Sequence, residues 1–176
     1  MKTLNLWIPG EPKPKQSARF RSITTKSGKS FIHSYQTKDV IQNEKTIKSV
    51  VIEQLPREFV VHQGPIIVCK LMFLFSPIKS LKKKEHKLIE LGVLLPKTTK
   101  PDLTDNLSKG LFDALEGLVY VNDSQICEVQ NSVKGYSNNP GIYLELELHE
   151  NIGSIIDIDK SIEEVSKTQI DLSLFN

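Results

Sequence analysis

Alternation and helical spacing divide the chain into short elements. Residues 3–8 alternate Leu4, Leu6 and Ile8 against Thr3, Asn5 and Trp7, which predicts a strand ended by Pro9-Gly10. Residues 19–23 and 30–35 flank Lys26-Ser27-Gly28-Lys29 and predict a β-hairpin with a basic tip. Val40, Ile41, Ile47, Val51 and Leu55 recur at helical spacing behind Thr37, a helix that Pro56 stops. The run 65–76 is the most apolar stretch and predicts a central strand. Residues 79–91 form a lysine-rich helix, and 92–99 a connector. Leu107, Leu111 and Leu115 give a further helix, N-capped by Thr104 or Asp105 and stopped by Gly117. Residues 118–121 predict a short strand, and 125–134 with 141–147 a last strand pair. Together these elements indicate an α/β (α+β) fold, a small mixed sheet with two or three helices.

Composition narrows the class. The chain has 176 residues, 39% of them hydrophobic, enough for one modest core. Its net charge of +2 hides an asymmetry. Bases dominate through residue 57, whereas the stretch from Glu150 is mainly acidic. A basic front half suits a polyanion such as nucleic acid, although a plain solvated surface has the same composition. Cys69 and Cys127 lie in apolar contexts and read as small core residues of a cytoplasmic protein. His33, His62, His86 and His149 show no metal-ligand spacing. There is no phosphate-binding glycine loop, no signal peptide and no apolar run long enough to span a membrane.

Candidate chemistry concentrates in residues 100–126, KPDLTDNLSKGLFDALEGLVYVNDSQI. Asp102, Asp105 and Asp123 stand at its two ends, with Lys109 between them. Carboxylates brought together beside a lysine can hold Mg²⁺ against a phosphodiester. Asp105, Lys109 and Asp113 are four residues apart, and the same spacing serves an exposed ion-pair ladder.

This segment resembles the signature of the RusA family of Holliday-junction resolvases, found in bacteria and often in their prophages. The matching residues are Lys100-Pro101-Asp102, Asp105-Asn106-Leu107, Lys109, Asp113-Ala114-Leu115, Gly117 and Asp123-Ser124-Gln125-Ile126. The resemblance extends over roughly residues 1–148 and implies an endonuclease domain over 1–149. It implies Asp102, Asp105, Lys109 and Asp123 as the catalytic set, with the three aspartates as Mg²⁺ ligands. It also implies a symmetric homodimer making paired nicks in branched DNA. Two departures stand out. One extra residue separates Asp102 from Asp105, which calls for a small bulge, and Asn122 replaces an aspartate. The family's proline-rich basic segment is kept as Ile8-Pro9-Gly10, Pro12, Pro14-Lys15 and Arg19, which makes Lys15 and Arg19 candidate DNA contacts. Asp113 is expected to support the helix or the ligands, and Asn106 to position a ligand aspartate.

Residues 150–176 stand apart as an acidic tail. Its end, Gln169-Ile170-Asp171-Leu172-Ser173-Leu174-Phe175, is similar to the bacterial sliding-clamp-binding peptide. Gln169, Leu172, Leu174 and Phe175 occupy the matching positions, and a final strand or helix turn packed on the core is the equal alternative. Two other functions fit the sequence: a non-cleaving DNA-binding accessory protein that rides the clamp, and a flap or fork nuclease of the same chemistry.

Overall fold

The computed structural model describes residues 1–15, 19–25, 28, 30–157 and 160, with backbone only at Arg19, Arg21, His33 and Ser34. The tail positions Gln169, Leu172, Leu174 and Phe175 lie outside the described residues.

The chain builds β1 (Lys2–Pro9), β2 (Arg19–Thr24), β3 (Ser30–Tyr35), α1 (Lys38–Gln54), β4 (Ile66–Phe75) and α2 (Lys83–Glu90). It continues through β5 (Leu95–Pro96), a π-helical turn (Leu103–Ser108), α3 (Lys109–Leu115) and a 3₁₀ turn (Asp123–Gln125). Then come β6 (Ile126–Val129), β7 (Ser132–Tyr136), β8 (Gly141–Leu148) and a second 3₁₀ turn (Ile152–Ser154). This is the expected α/β class, a mixed sheet with three α-helices among the described residues.

The main sheet runs β1-β8-β4-β7-β5, with β6 also on β4. The apolar run of β4 takes the middle because it is covered on both edges. The antiparallel strand β8 lies on one side, and the parallel pieces β6 and β7 lie on the other. The expected last strand pair is therefore corrected: β4 lies between β8 and β6/β7. The interruption between β6 and β7 falls at Asn131, which has φ +35° and whose side chain donates to the Cys69 carbonyl at 3.1 Å.

Leu144, Leu146 and Leu148 of β8, Leu4, Leu6 and Ile8 of β1, and Ile66, Val68, Leu71 and Phe73 of β4 face one core. Ile47 and Val51 of α1 and Leu111, Ala114 and Leu115 of α3 cover it. Period-two and helical spacings thus meet on a single apolar layer. Gln54 on α1 pairs with the backbone of edge strand β1: Trp7 N–H donates to its Oε1 at 2.9 Å, and its Nε2 donates to the Trp7 carbonyl at 2.8 Å. That contact occupies part of an edge otherwise open to pairing.

Three further expectations are corrected. Residues 118–121 form a tight loop that buries Val119 and Tyr120, with isolated bridges at Tyr120 rather than a strand, because Gly117 turns the chain at φ +73°. Cys69 is half-buried and Cys127 exposed, so neither is a core residue. The helix cap is Asp102, not Thr104 or Asp105. No helix among the described residues is long and apolar enough to cross a membrane.

Candidate active site

The approach to the site is held from the sheet. Lys134 on β7 donates from Nζ to the Thr99 carbonyl at 2.8 Å and to the Pro101 carbonyl. Lys97 donates to Thr99 Oγ1 at 2.6 Å and lies over the Phe75 and Tyr136 rings. These contacts fix the Thr99–Pro101 carbonyls, and so the point at which Asp102 starts the helix. The Lys100–Pro101 peptide is cis.

Asp102 Oδ1 accepts the Asp105 N–H at 2.9 Å and the Asn106 N–H at 2.8 Å, and its Oδ2 accepts the Asn106 side-chain amide. The Asn106 backbone N–H contributes most to holding the Asp102 carboxyl below the usual carboxylate range. Asn106 thus holds Asp102 by backbone and side chain together. The added residue between Asp102 and Asp105 is absorbed by the π turn, where Lys109 N–H reaches back five residues to the Thr104 carbonyl. Ser108 Oγ donates to the Leu103 carbonyl at 2.7 Å across the same turn. Leu107, at the expected core position, stays buried. Asp105 and Lys109 are exposed on this turn and at the start of α3.

The other end of α3 meets the Asp123 loop. Asn122 Oδ1 accepts the Ser124 N–H at 2.9 Å, so the asparagine standing where an aspartate was expected caps the turn. Gln125 secures the loop from both ends of its amide. Its Oε1 accepts the Val121 and Asn122 N–H groups at 2.8 and 2.9 Å. Its Nε2 donates to the carbonyls of His62 at 3.1 Å and Gly64 at 2.8 Å.

Held this way, Asp123 converges with Asp113 and Glu116, each offering a carboxylate oxygen within 4.8 Å of the others. Among the described residues this is the acidic group that reaches metal-holding distance, and Asp102 and Asp105 are not in it. An all-oxygen donor set at the surface suits a hard divalent cation such as Mg²⁺. Tyr120 is fully buried nearby and donates to the Phe112 carbonyl at 2.9 Å. Burial, then the charges of Asp123, Asp113 and Glu116, push its hydroxyl pKa far up, so it remains a neutral donor.

Lys15 is ion-paired inside this framework. Its Nζ lies 2.7 Å from both Glu44 and Asp113, with its side chain 16% exposed. Burial works against its charge, but the hydrogen bonds and charges of Asp113 and Glu44 prevail and raise its pKa. Its N–H donates to the Asn106 carbonyl at 2.9 Å. Lys15 thus joins the proline-rich strap, α1 and α3 beside the acidic group. Of Arg19, the structure describes only the backbone, at the start of β2.

Glu116 was not singled out by the sequence reading. Its signal was present: Asp113 and Glu116 are three residues apart, hence neighbours on one helix face. The Lys15–Glu44 pair joins residues far apart in the chain and left no local signal.

Comparison with known proteins gives two findings. A Bacillus subtilis (strain 168) protein described as "Uncharacterized protein YqaN" is 46% identical over 65 residues, which cover 37% of this chain and 43% of that protein. The chain thus matches less than half the length of that relative. The family model described as "Endodeoxyribonuclease RusA" matches residues 9–147, from the strap through the acidic site into β8, and the chain belongs to that family.

Proposed function

We propose that this chain is a divalent-metal-dependent endodeoxyribonuclease that resolves Holliday junctions, with Mg²⁺ as its metal. The observation that carries this reading is the convergence of Asp123 with Asp113 and Glu116 inside the segment that bears the family signature.

In this reading Asp123 is the central metal ligand. Asp113 and Glu116 join it from the end of the helix, and Asp102 and Asp105, outside that group at the helix start, ligate a second Mg²⁺. A bound cation lowers the pKa of a coordinated water and neutralises charge on the phosphate undergoing attack. Lys109, exposed at the start of α3, contacts the scissile phosphate. Lys15 holds Asp113 in place instead of meeting DNA, and Arg19 remains a candidate DNA contact. The active species is a cytoplasmic homodimer working at the nucleoid, because two matched nicks across a four-way junction require two sites related by a two-fold axis. The π turn supports this reading over the accessory-protein alternative, since it accommodates the added residue without displacing the buried leucines that follow.

The test is cleavage of a labelled four-way junction beside linear duplex and flap controls, with Mg²⁺ or EDTA. Paired symmetric nicks only on the junction and only with metal are expected. Preferential cutting of flaps would move the substrate to forks, and binding without cutting under any divalent metal would overturn the nuclease assignment. The tail carries a separate proposal, that Gln169, Leu172, Leu174 and Phe175 bind the sliding clamp. Deleting residues 169–176 should abolish clamp capture and leave junction cleavage intact.

A further inference from the structure

The hairpin β2–β3 forms its own two-stranded sheet, separate from the main one. An isolated pair of strands has little stability unless something packs against it. Here its apolar side chains point to solvent. Phe20 is 72% exposed, Ile32 75% and Phe31 50%. The register pairs Phe20 with Ser34 and Ser22 with Ile32, so Phe20 and Ile32 share one face, while Ile23 pairs with Phe31 on the other. Each face of the ribbon therefore presents exposed apolar side chains set among polar ones.

Charge identifies the occupant. From Pro12 to Lys38 the chain has no acid, and besides the ion-paired Lys15 it carries Lys13, Arg19, Arg21, Lys26, Lys29 and Lys38. Two copies of such a ribbon would repel, whereas a polyanion is drawn to it. Apolar and aromatic side chains set among bases are the means by which proteins stack on unpaired nucleobases or wedge between base steps.

The ribbon is also rooted at the acidic site. Its leading strand starts four residues beyond Lys15, a reach of about 14 Å. Its trailing strand runs into α1, which carries Glu44. In sequence, the two legs thus join the segments that hold Lys15 and Glu44, the partners in the ion pairs beside Asp113.

We infer that the β2–β3 ribbon engages unstacked bases at the branch point of the DNA, with Phe20 and Ile32 as its base-contacting side chains. This rests on the junction reading above and adds to it the element that recognises the branch. Bases at a crossover expose π faces that a continuous duplex hides, so the ribbon distinguishes branched from linear DNA without reading sequence.

The experiment uses the full chain in EDTA and a four-way junction carrying 2-aminopurine beside the crossover. Wild-type protein should raise the probe's fluorescence. The F20S/I32S double variant should lose that rise and bind the junction roughly tenfold or more weakly, with linear-duplex affinity and sedimentation mass unchanged. In a second variant, F20W, the new indole should be quenched by the junction and not by linear duplex, measured against the parent with its single Trp7. Wild-type fluorescence and affinity in F20S/I32S would overturn the inference. A drop in its mass would also do so, by assigning the ribbon to a second copy of the chain. Wild-type protein with no preference for junction over duplex is a separate result, which would sink the junction reading itself.

Discussion

The backbone of Lys15 passes directly over Gly110, so closely that a β-carbon on the glycine would stand 2.9 Å from the Lys15 β-carbon. The glycine is a passage for the strap, and the crossing brings the Lys15 ammonium to Asp113. G110A should lift the strap and separate that ion pair. Overpacking of this kind costs about 1–3 kcal/mol, or roughly 3–10 °C in a chain of this size. A thermal melt reads the loss, and an unchanged Tm would show that the strap yields without cost.

Lys15 predicts an alkaline limb of stability. Its folded pKa lies above the ordinary 10.5, so its ion pairs contribute fully below that value and are lost as pH rises through the higher folded one. Denaturation midpoints from pH 9 to 12 should fall more steeply in wild type than in K15M. Parallel curves would remove Lys15 as their source.

Gln125 bears on the Asp123 loop. Q125A leaves the His62 and Gly64 carbonyls and the Val121 and Asn122 N–H groups without their partner. The expected cost is about 2–4 kcal/mol, read as a lower denaturant midpoint, together with a loss of junction cleavage as Asp123 leaves its neighbours. Q125E keeps the acceptor for Val121 and Asn122 but sets a carboxylate oxygen against the His62 and Gly64 carbonyls, so it should also be less stable than wild type. Full cleavage by Q125A would mean that the loop is held in place by other contacts.

Metal should stabilise the resting protein, because it relieves the repulsion among Asp113, Glu116 and Asp123. At a hundredfold excess over Kd the gain is about 2.7 kcal/mol, visible as a rise in Tm with Mg²⁺ that EDTA reverses. D123N should abolish the rise. Comparing E116Q with D105N then weighs the two ends of the helix as ligand sources. A full metal response in D123N would remove Asp123 from its central place.

Much of the fold was legible because the governing spacings are local. The apolar run of β4, the alternation of β8 and the leucine stripe of α3 each register in a few residues. What was not legible depended on pairing between distant segments. Alternation marks β8 as a strand but does not say that β4, not β7, is its neighbour. The acidic site divides the same way. Asp102, Asp105 and Asp123 came from the motif, and the position of Glu116 emerged only once the turns closed. Lys15 shows the limit best: as one base in a basic stretch it read as a contact for DNA, and an aspartate and a glutamate from two helices claim it.

The π turn at Leu103–Ser108 makes the motif elastic in length. A wider turn takes up one more residue while the helix behind it keeps the same face toward the core. Counting residues between the aspartates is therefore a poor measure of the site. Chains with two or three steps from the first aspartate to the second can present the same helix, and a search that insists on one spacing would pass over members of the family.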